Sequence, residues 1–145
     1  MKTGKFLRWA DRVSDLIKNK ISKIEYYIKR IQEEYDNTPE NLENCTKQDS
    51  IIYNLQRVVE ASNDIAMHII ASKKLGLPQN SMDAYSILKN EEILSPEIFQ
   101  KMKTMLDLIN SAVYAPHEID LELLKNNLEN HLSDLLEYTN TILMY

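Results

Sequence analysis

A stripe of apolar side chains runs through the first quarter of the chain and restricts the fold more than any other feature. From Trp9 to Tyr35 its members are spaced by 4, 4, 3, 4, 3 and 4 residues, which places them on one side of an α-helix. They are Val13, Ile17, Ile21, Ile24, Ile28, Ile31 and Tyr35. The pattern predicts a long amphipathic helix over residues 9–35.

Turn-forming residues are scarce in the rest of the chain. The sequence has only two glycines and four prolines in 145 residues, whereas an all-β fold needs frequent turns. A domain of this length buries about 70% of its unfolded surface, which is enough for one apolar core. We therefore predict a single all-α domain over residues 1–145, folded as an up-and-down antiparallel bundle of four main helices plus one short helix.

Local signals set the boundaries of the later helices. Pro39 ends the first helix, and Gly76-Leu77-Pro78 ends a second one. Ser95-Pro96-Glu97 is an N-cap followed by a proline at the first helical position, so it opens the fourth helix. Pro116 interrupts or kinks that helix. The predicted second, third and fifth helices cover residues 49–74, 81–90 and 119–143.

Composition indicates a cytoplasmic protein. Charged residues break the N-terminal apolar segment, and no apolar run reaches 18 residues, so neither an export signal nor a membrane span is readable. The one cysteine, Cys45, cannot form an internal disulfide. Charge is uneven, because residues 1–30 hold nine Lys/Arg against three Asp/Glu. This basic segment is either a solvated helix face or a surface for phosphate or for the acidic part of a second copy.

The usual catalytic patterns are absent from the sequence. A di-metal helical bundle needs Glu-x-x-His pairs, but none of the three histidines follows a glutamate at that spacing. Glu60, Asp64 and His68 form a row that fits either a single metal ion or a polar helix stripe. Phosphate loops and nucleophile elbows need glycine-rich turns, which the chain lacks. We expect no metal site and no cofactor.

From Asp49 onward, the order of features resembles the HepT-like branch of the HEPN (higher eukaryotes and prokaryotes nucleotide-binding) superfamily. The stretches that carry the likeness are Asn54–Arg57, Asp64–Ile70, Gly76–Pro78, Leu88, Phe99–Met102 and Glu118–Glu122. The resemblance implies a helical homodimer that cleaves RNA without a metal. It also implies a partner, a minimal nucleotidyltransferase antitoxin, which inactivates the toxin by adding AMP to a tyrosine.

The catalytic motif of that family has the form Arg-Asn-x-x-x-His-x-Tyr, at the end of the fourth helix. Anchoring on Ile119-Asp120 places Ile109 at the Arg position, Asn110 at the Asn, Tyr114 at the His and Pro116 at the Tyr. Only the Asn matches. No later register restores the motif, because the last arginine in the chain is at position 57.

The replaced residues matter for RNA cleavage. The resemblance implies that the motif His takes the 2′-OH proton and that the Arg stabilises the charge on phosphorus, two tasks that such a reaction needs. An isoleucine cannot bind phosphate, and a tyrosine, which titrates near pH 10, is a poor base at neutral pH. The family's AMP-accepting tyrosine aligns with Pro116, which has no hydroxyl group. Tyr114, two residues earlier, is the substitute acceptor.

Three functional hypotheses follow. In the first, the chain is a catalytically degenerate family member that acts by homodimerisation and by binding a nucleotidyltransferase-type partner, a nucleotide or RNA. In the second, it is an active metal-independent endoribonuclease that uses Tyr114 and His117, with Lys101 or Lys103 binding phosphate. In the third, the likeness is a coincidence between helical bundles and the chain is an unrelated interaction module.

Overall fold

The computed structural model describes the backbone of residues 2–143 and the side chains of residues 14–143, except that of residue 117. Within this range the chain forms six α-helices and no strand. They are α1 (Lys2–Tyr35), α2 (Cys45–Lys73), α3 (Ser81–Asn90), α4 (Pro96–Tyr114), α5 (Leu121–Asn130) and α6 (Leu132–Leu143). Short 3₁₀ helices at Pro39–Glu43 and Pro116–Glu118 precede α2 and α5.

Side-chain caps set the beginnings of four helices. Asn44, Asn80, Ser95 and Asp120 each accept a hydrogen bond from a backbone N–H in the first turn of the helix that follows. Such a cap satisfies a donor that the helix itself leaves without a partner. The cap at Asn44 makes α2 begin at Cys45, four residues before the predicted start at residue 49.

The apolar stripe of α1 lies in the core, as its spacing predicts. Its members from Ile21 to Tyr35 are buried, and α1 packs mainly along α2. Val13 and the first four basic residues fall among the side chains that the structure leaves undescribed. At the end of the stripe, Tyr35 Oη donates a hydrogen bond of 2.5 Å to the Glu129 carboxylate and so ties α1 to α5. Burial, followed by this bond, raises the pKa of Tyr35 to about 12.

The predicted fifth helix over residues 119–143 is wrong, because the segment forms two helices that meet at His131. The backbone of His131 leaves ideal helical geometry, at φ −118° and ψ −7°. Two asparagines near the break bond within the helix: Asn127 donates to the Leu123 carbonyl and Asn130 to the Asn126 side chain. Short polar side chains of this kind compete with the helical backbone. The bundle therefore has more helices than the predicted four plus one.

The interruption predicted at Pro116 is confirmed. Helix α4 ends at Tyr114, and Ala115 takes φ −138° and ψ 73° before the proline opens a 3₁₀ turn. A proline in the helix would remove a backbone hydrogen bond and clash with the preceding turn. Among the described helices, none is long and apolar enough to cross a membrane.

Candidate functional site

A groove of about 960 Å³ lies between the middle of α2, the beginning of α3 and the second half of α4. The α4 wall carries Lys103, Asp107, Asn110 and Tyr114, whose spacings of 4, 3 and 4 put them on one helix face. Three apolar residues of α4, Leu106, Ile109 and Val113, form the inner part of the same wall.

The α2 wall is polar as well. Gln56, Glu60 and Asn63 line the groove at spacings of 4 and 3 residues, again on one helix face. Asn80 and Ser81, at the beginning of α3, close one end. Polar side chains from three helices therefore converge on one open cavity.

The groove contains most of the positions that the sequence assigned to the degenerate motif. Ile109, Asn110 and Tyr114 all line it, whereas Pro116 does not. Ile109 is 4% exposed and belongs to the core, while Tyr114 is 92% exposed at the last turn of α4. The side chain of His117 lies outside the described residues.

The two lysines proposed to bind phosphate differ in their surroundings. Lys103 lines the groove and makes no ion pair with any described residue. Lys101 Nζ lies 3.1 Å from Asp134 Oδ1 and 3.6 Å from Glu137 Oε2. The hydrogen bond to Asp134 raises the pKa of Lys101. Its charge is therefore paired with α6 and is not among those that line the groove.

Charges in the groove nearly balance. Arg57 Nη1 donates to Glu60 Oε2 at 3.2 Å, and Arg57 also bonds the Tyr53 hydroxyl and lies 5.0 Å from the centre of that ring. Arg57 itself is not a lining residue, and the charged residues that line the groove besides Glu60 are Lys103 and Asp107. Within the described part of the chain, the groove has no cluster of cations of the kind that binds a phosphate backbone.

Two buried tyrosines support the α2 wall from behind. Tyr85 Oη donates to Asn63 Oδ1 at 2.7 Å, and Tyr138 Oη donates to the Ser62 carbonyl at 3.0 Å. Their rings meet edge to face with centroids 5.9 Å apart. Burial raises the pKa of both hydroxyls, so both stay protonated and act as donors at neutral pH. Asn63 is thereby held in one orientation.

The acidic row on α2 takes part in ion pairs. Asp64 lies 2.9 Å from Lys20 Nζ, and Glu60 is bound to Arg57 as described. No group of three or more His, Cys, Asp or Glu side chains in the described range is arranged to hold a metal ion.

Sequence reasoning missed three groove residues, Gln56, Asn63 and Asp107. A signal for two of them was present, since Gln56, Glu60 and Asn63 follow helical spacing. Nothing in the sequence showed that this polar strip faces α4.

A helical bundle is the architecture that the sequence resemblance implied, and its polar groove lies beside the end of α4, where the resemblance places the catalytic motif. Residues 11–142 match the family model described as "Ribonuclease HepT-like". The chain belongs to the HepT-like ribonuclease family. Membership rules out the third hypothesis, an unrelated bundle.

Known proteins support this assignment. The chain is 36% identical over 130 residues to the mRNA nuclease HepT of Shewanella oneidensis, covering 90% of this chain and 98% of that protein. It also resembles a solved tri-AMPylated Shewanella oneidensis HEPN toxin in complex with an MNT antitoxin, with a TM-score of 0.86, 36% identity and coverage of 90% and 98%. A crystal structure of a toxin–antitoxin with AMP-PNP matches with a TM-score of 0.85, 37% identity and coverage of 88% and 98%.

Proposed function

We propose that this chain is the toxin-type member of a toxin–antitoxin pair, that it acts as a homodimer bound by a nucleotidyltransferase antitoxin, and that it has lost RNA cleavage. Its family and its similarity to antitoxin-bound HEPN toxins support the pairing. The observation that carries the loss of cleavage is the composition of the groove. A buried isoleucine and an exposed tyrosine stand at positions 109 and 114, where the family resemblance places an arginine and a histidine.

The chemistry of RNA cleavage explains why these two positions decide activity. The reaction needs one group that accepts the 2′-OH proton and a cation that stabilises charge on the phosphoryl oxygens. At Ile109 the groove presents only a hydrocarbon side chain. Lys103 is the ammonium group among the lining residues, and the Asp107 carboxylate in the same lining opposes binding of a phosphodiester, while Glu60 is paired with Arg57.

The partner interaction is tested with the full chain and its nucleotidyltransferase. We expect Tyr114 to be the AMP acceptor, because its ring is 92% exposed and it makes no hydrogen bond to any described residue. Its phenolic oxygen would attack the α-phosphorus of ATP, lose its proton and release pyrophosphate. Mass spectrometry after incubation with ATP should find AMP on Tyr114, while Tyr114→Phe should remain unmodified there. Modification that persists in Tyr114→Phe would move the acceptor elsewhere.

Homodimerisation is tested separately by light scattering of the isolated chain. A mass twice that of one chain is expected. A monomer at micromolar concentration would contradict this part of the proposal, whatever the outcome with the nucleotidyltransferase.

The second candidate function is an active endoribonuclease, and the exposure of Tyr114 in a groove is the observation that favours it. That hypothesis predicts cleavage of single-stranded RNA that is abolished by His117→Ala or Tyr114→Phe. Our proposal predicts that wild type and both variants are equally inactive at high protein concentration.

A further inference from the structure

Helix α5 is separated from both of its neighbours along the chain by non-helical backbone. Ala115 takes φ −138° and ψ 73° before it, and His131 takes φ −118° and ψ −7° after it. We infer that α5 is a strap that opens locally on hinges at these two points while the rest of the bundle stays folded. Two side-chain ties near His131 hold the strap closed.

Few side chains attach the strap to the core. Of its ten residues only Leu124, Asn127 and Leu128 are buried, so two leucines are its only fully buried apolar side chains. In α6, by contrast, large apolar side chains lie in the core along the whole helix: Leu132, Leu135, Tyr138 and Ile142. Because packing of an apolar face supplies most of the stability of a helix inside a protein, α5 is held less strongly than α6.

Asn127 weakens this attachment further. Its side chain is 1% exposed, its Nδ2 donates to the Leu123 carbonyl at 2.8 Å, and its Oδ1 has no hydrogen-bond partner among the described residues. An acceptor that is buried without a partner loses its hydrogen bonds to water and gains none in return. Opening of the strap returns this oxygen to water, so it brings the free energy of the open state closer to that of the closed state.

The first tie joins the strap to the end of α1. Tyr35 Oη donates to Glu129 Oε1 at 2.5 Å, between residues that are 94 positions apart in the sequence. A hydrogen bond to an ionised carboxylate is stronger than one between neutral groups. Tyr35 itself is 5% exposed and belongs to the core, so this bond ends when α5 moves away from α1.

The second tie fixes the hinge at His131 to α4. His131 Nδ1 lies 2.7 Å from Asp134 Oδ2, and Lys101 Nζ lies 3.1 Å from Asp134 Oδ1. One carboxylate, on a residue that is 9% exposed, therefore links the hinge to α4 through its two oxygens. Lys101 Nζ also lies 3.6 Å from the more exposed Glu137 carboxylate, which adds a weaker contact to the same helix.

Opening of the strap reaches the groove face of α4 as well. Only residues 115–120 separate Tyr114 from α5, so opening also frees the chain on the C-terminal side of Tyr114. An enzyme that modifies a tyrosine must bring the chain around it into its own active site. This consequence rests on the proposed function, in which Tyr114 is the AMP acceptor, whereas the strap itself does not.

The test is amide hydrogen exchange of the purified full chain, measured by mass spectrometry at neutral pH in increasing concentrations of urea below the unfolding transition. Exchange reports the free energy of the opening that exposes each helix. We expect α5 to exchange faster than α2 by about tenfold or more. Exchange of α5 should hardly respond to urea, because a local opening exposes little surface, whereas exchange of α2 should accelerate with urea as global unfolding does.

Variants within the strap and at its tie should change the rate of its opening. Asn127→Leu removes the unpartnered oxygen and should slow exchange of α5 by about tenfold. Asn126→Leu makes the same change at an exposed neighbour and should have a much smaller effect. Tyr35→Phe removes the first tie and should speed exchange of α5 by about fivefold or more, whereas Tyr26→Phe, at a position that is 60% exposed, should not.

Ile69→Val separates local opening from global unfolding. Ile69 is 3% exposed in the part of α2 that follows Asp64, which pairs with Lys20 at 2.9 Å. Lys20 lies 15 residues before Tyr35, which is about 22 Å along α1, so this site is far from the strap. Loss of a buried methyl group should speed exchange of α2 by about threefold or more. Exchange of α5 should not change, because the contacts of Ile69 persist when the strap opens.

Four results would overturn the inference. They are exchange of α5 as slow as that of α2, parallel acceleration of both helices by urea, equal acceleration of both in Ile69→Val, and equal effects of Asn127→Leu and Asn126→Leu. The first two need no variant, so they decide the matter even if a variant fails to fold. Failure here is distinguishable from failure of the proposed function, because these measurements include neither RNA nor the nucleotidyltransferase.

Discussion

The two faces of α4 differ sharply in polarity and in burial. One face is a row of buried apolar residues, Ile98, Met102, Met105 and Ile109, that completes the core. The other presents Lys103, Asp107, Asn110 and Tyr114 to the groove. The positions that the resemblance assigns to the catalytic motif lie on both faces, since Ile109 is on the buried face and Asn110 and Tyr114 are on the groove face. The position that the resemblance assigns to the arginine is therefore part of the core, and the position that it assigns to the histidine is at the surface.

The largest predicted difference between the two faces concerns stability. Met105→Ala should lower the free energy of unfolding by about 2–5 kcal/mol, because it leaves a cavity at a residue that is 1% exposed. Asp107→Ala, two residues away on the groove face, should change it by less than about 0.5 kcal/mol. Urea denaturation measures both. Similar losses in the two variants would mean that the groove face is packed as tightly as the core.

Ile109 lies at the border between the buried face and the groove face of α4. Substitutions there should have the next largest effect on the free energy of unfolding. Ile109→Arg should cost about 1–3 kcal/mol, since a longer, charged side chain must leave the core and reach the groove. Ile109→Met, of similar length but neutral, should cost less than about 1.5 kcal/mol. The same denaturation experiment compares them. If arginine is tolerated as well as methionine, position 109 opens to the groove more than its 4% exposure indicates.

Three buried tyrosines predict a dependence of stability on pH. Burial raises the pKa of Tyr35 to about 12, and also raises that of Tyr85 and Tyr138. Their contribution to the free energy of unfolding is complete below the ordinary tyrosine pKa of about 10. It is lost as the pH rises above that value, because the unfolded chain then binds fewer protons than the folded chain. For Tyr35 the loss ends near pH 12.

Each such tyrosine lowers the free energy of unfolding as the pH rises through this window. Tyr138→Phe should reduce the slope of stability against pH above pH 10, and Tyr26→Phe, at an exposed position, should not. Thermal unfolding at a series of pH values provides the slopes. An unchanged slope in Tyr138→Phe would show that this hydroxyl already ionises normally in the folded protein.

The smallest predicted effect concerns the two lysines of α4. Lys101→Ala breaks a partly exposed ion pair with Asp134 and should cost less than about 1 kcal/mol, with a smaller cost at high salt. Lys103→Ala breaks no described ion pair and should be neutral. A salt-sensitive loss of stability in Lys103→Ala but not in Lys101→Ala would mean that Lys103, and not Lys101, forms the ion pair.

The sequence predicted the helices better than the groove. Helical stripes such as that of α1 are local, so their spacing alone identifies them. The break at His131 was missed because Leu128, Leu132 and Leu135 continue the apolar stripe across it. Ile109 shares its helical spacing with Ile98, Met102 and Met105, and it is buried as they are. The role of Asn63 could not be predicted, because its orientation depends on Tyr85, 22 residues away on another helix.

The most direct test compares RNA cleavage by wild type with that by the double variant Ile109→Arg/Tyr114→His, once circular dichroism shows that the variant is folded. The account predicts that wild type stays at background on single-stranded RNA and that the double variant cleaves it measurably. Wild type that cleaves as fast as the double variant would contradict the claim that these two substitutions remove the activity.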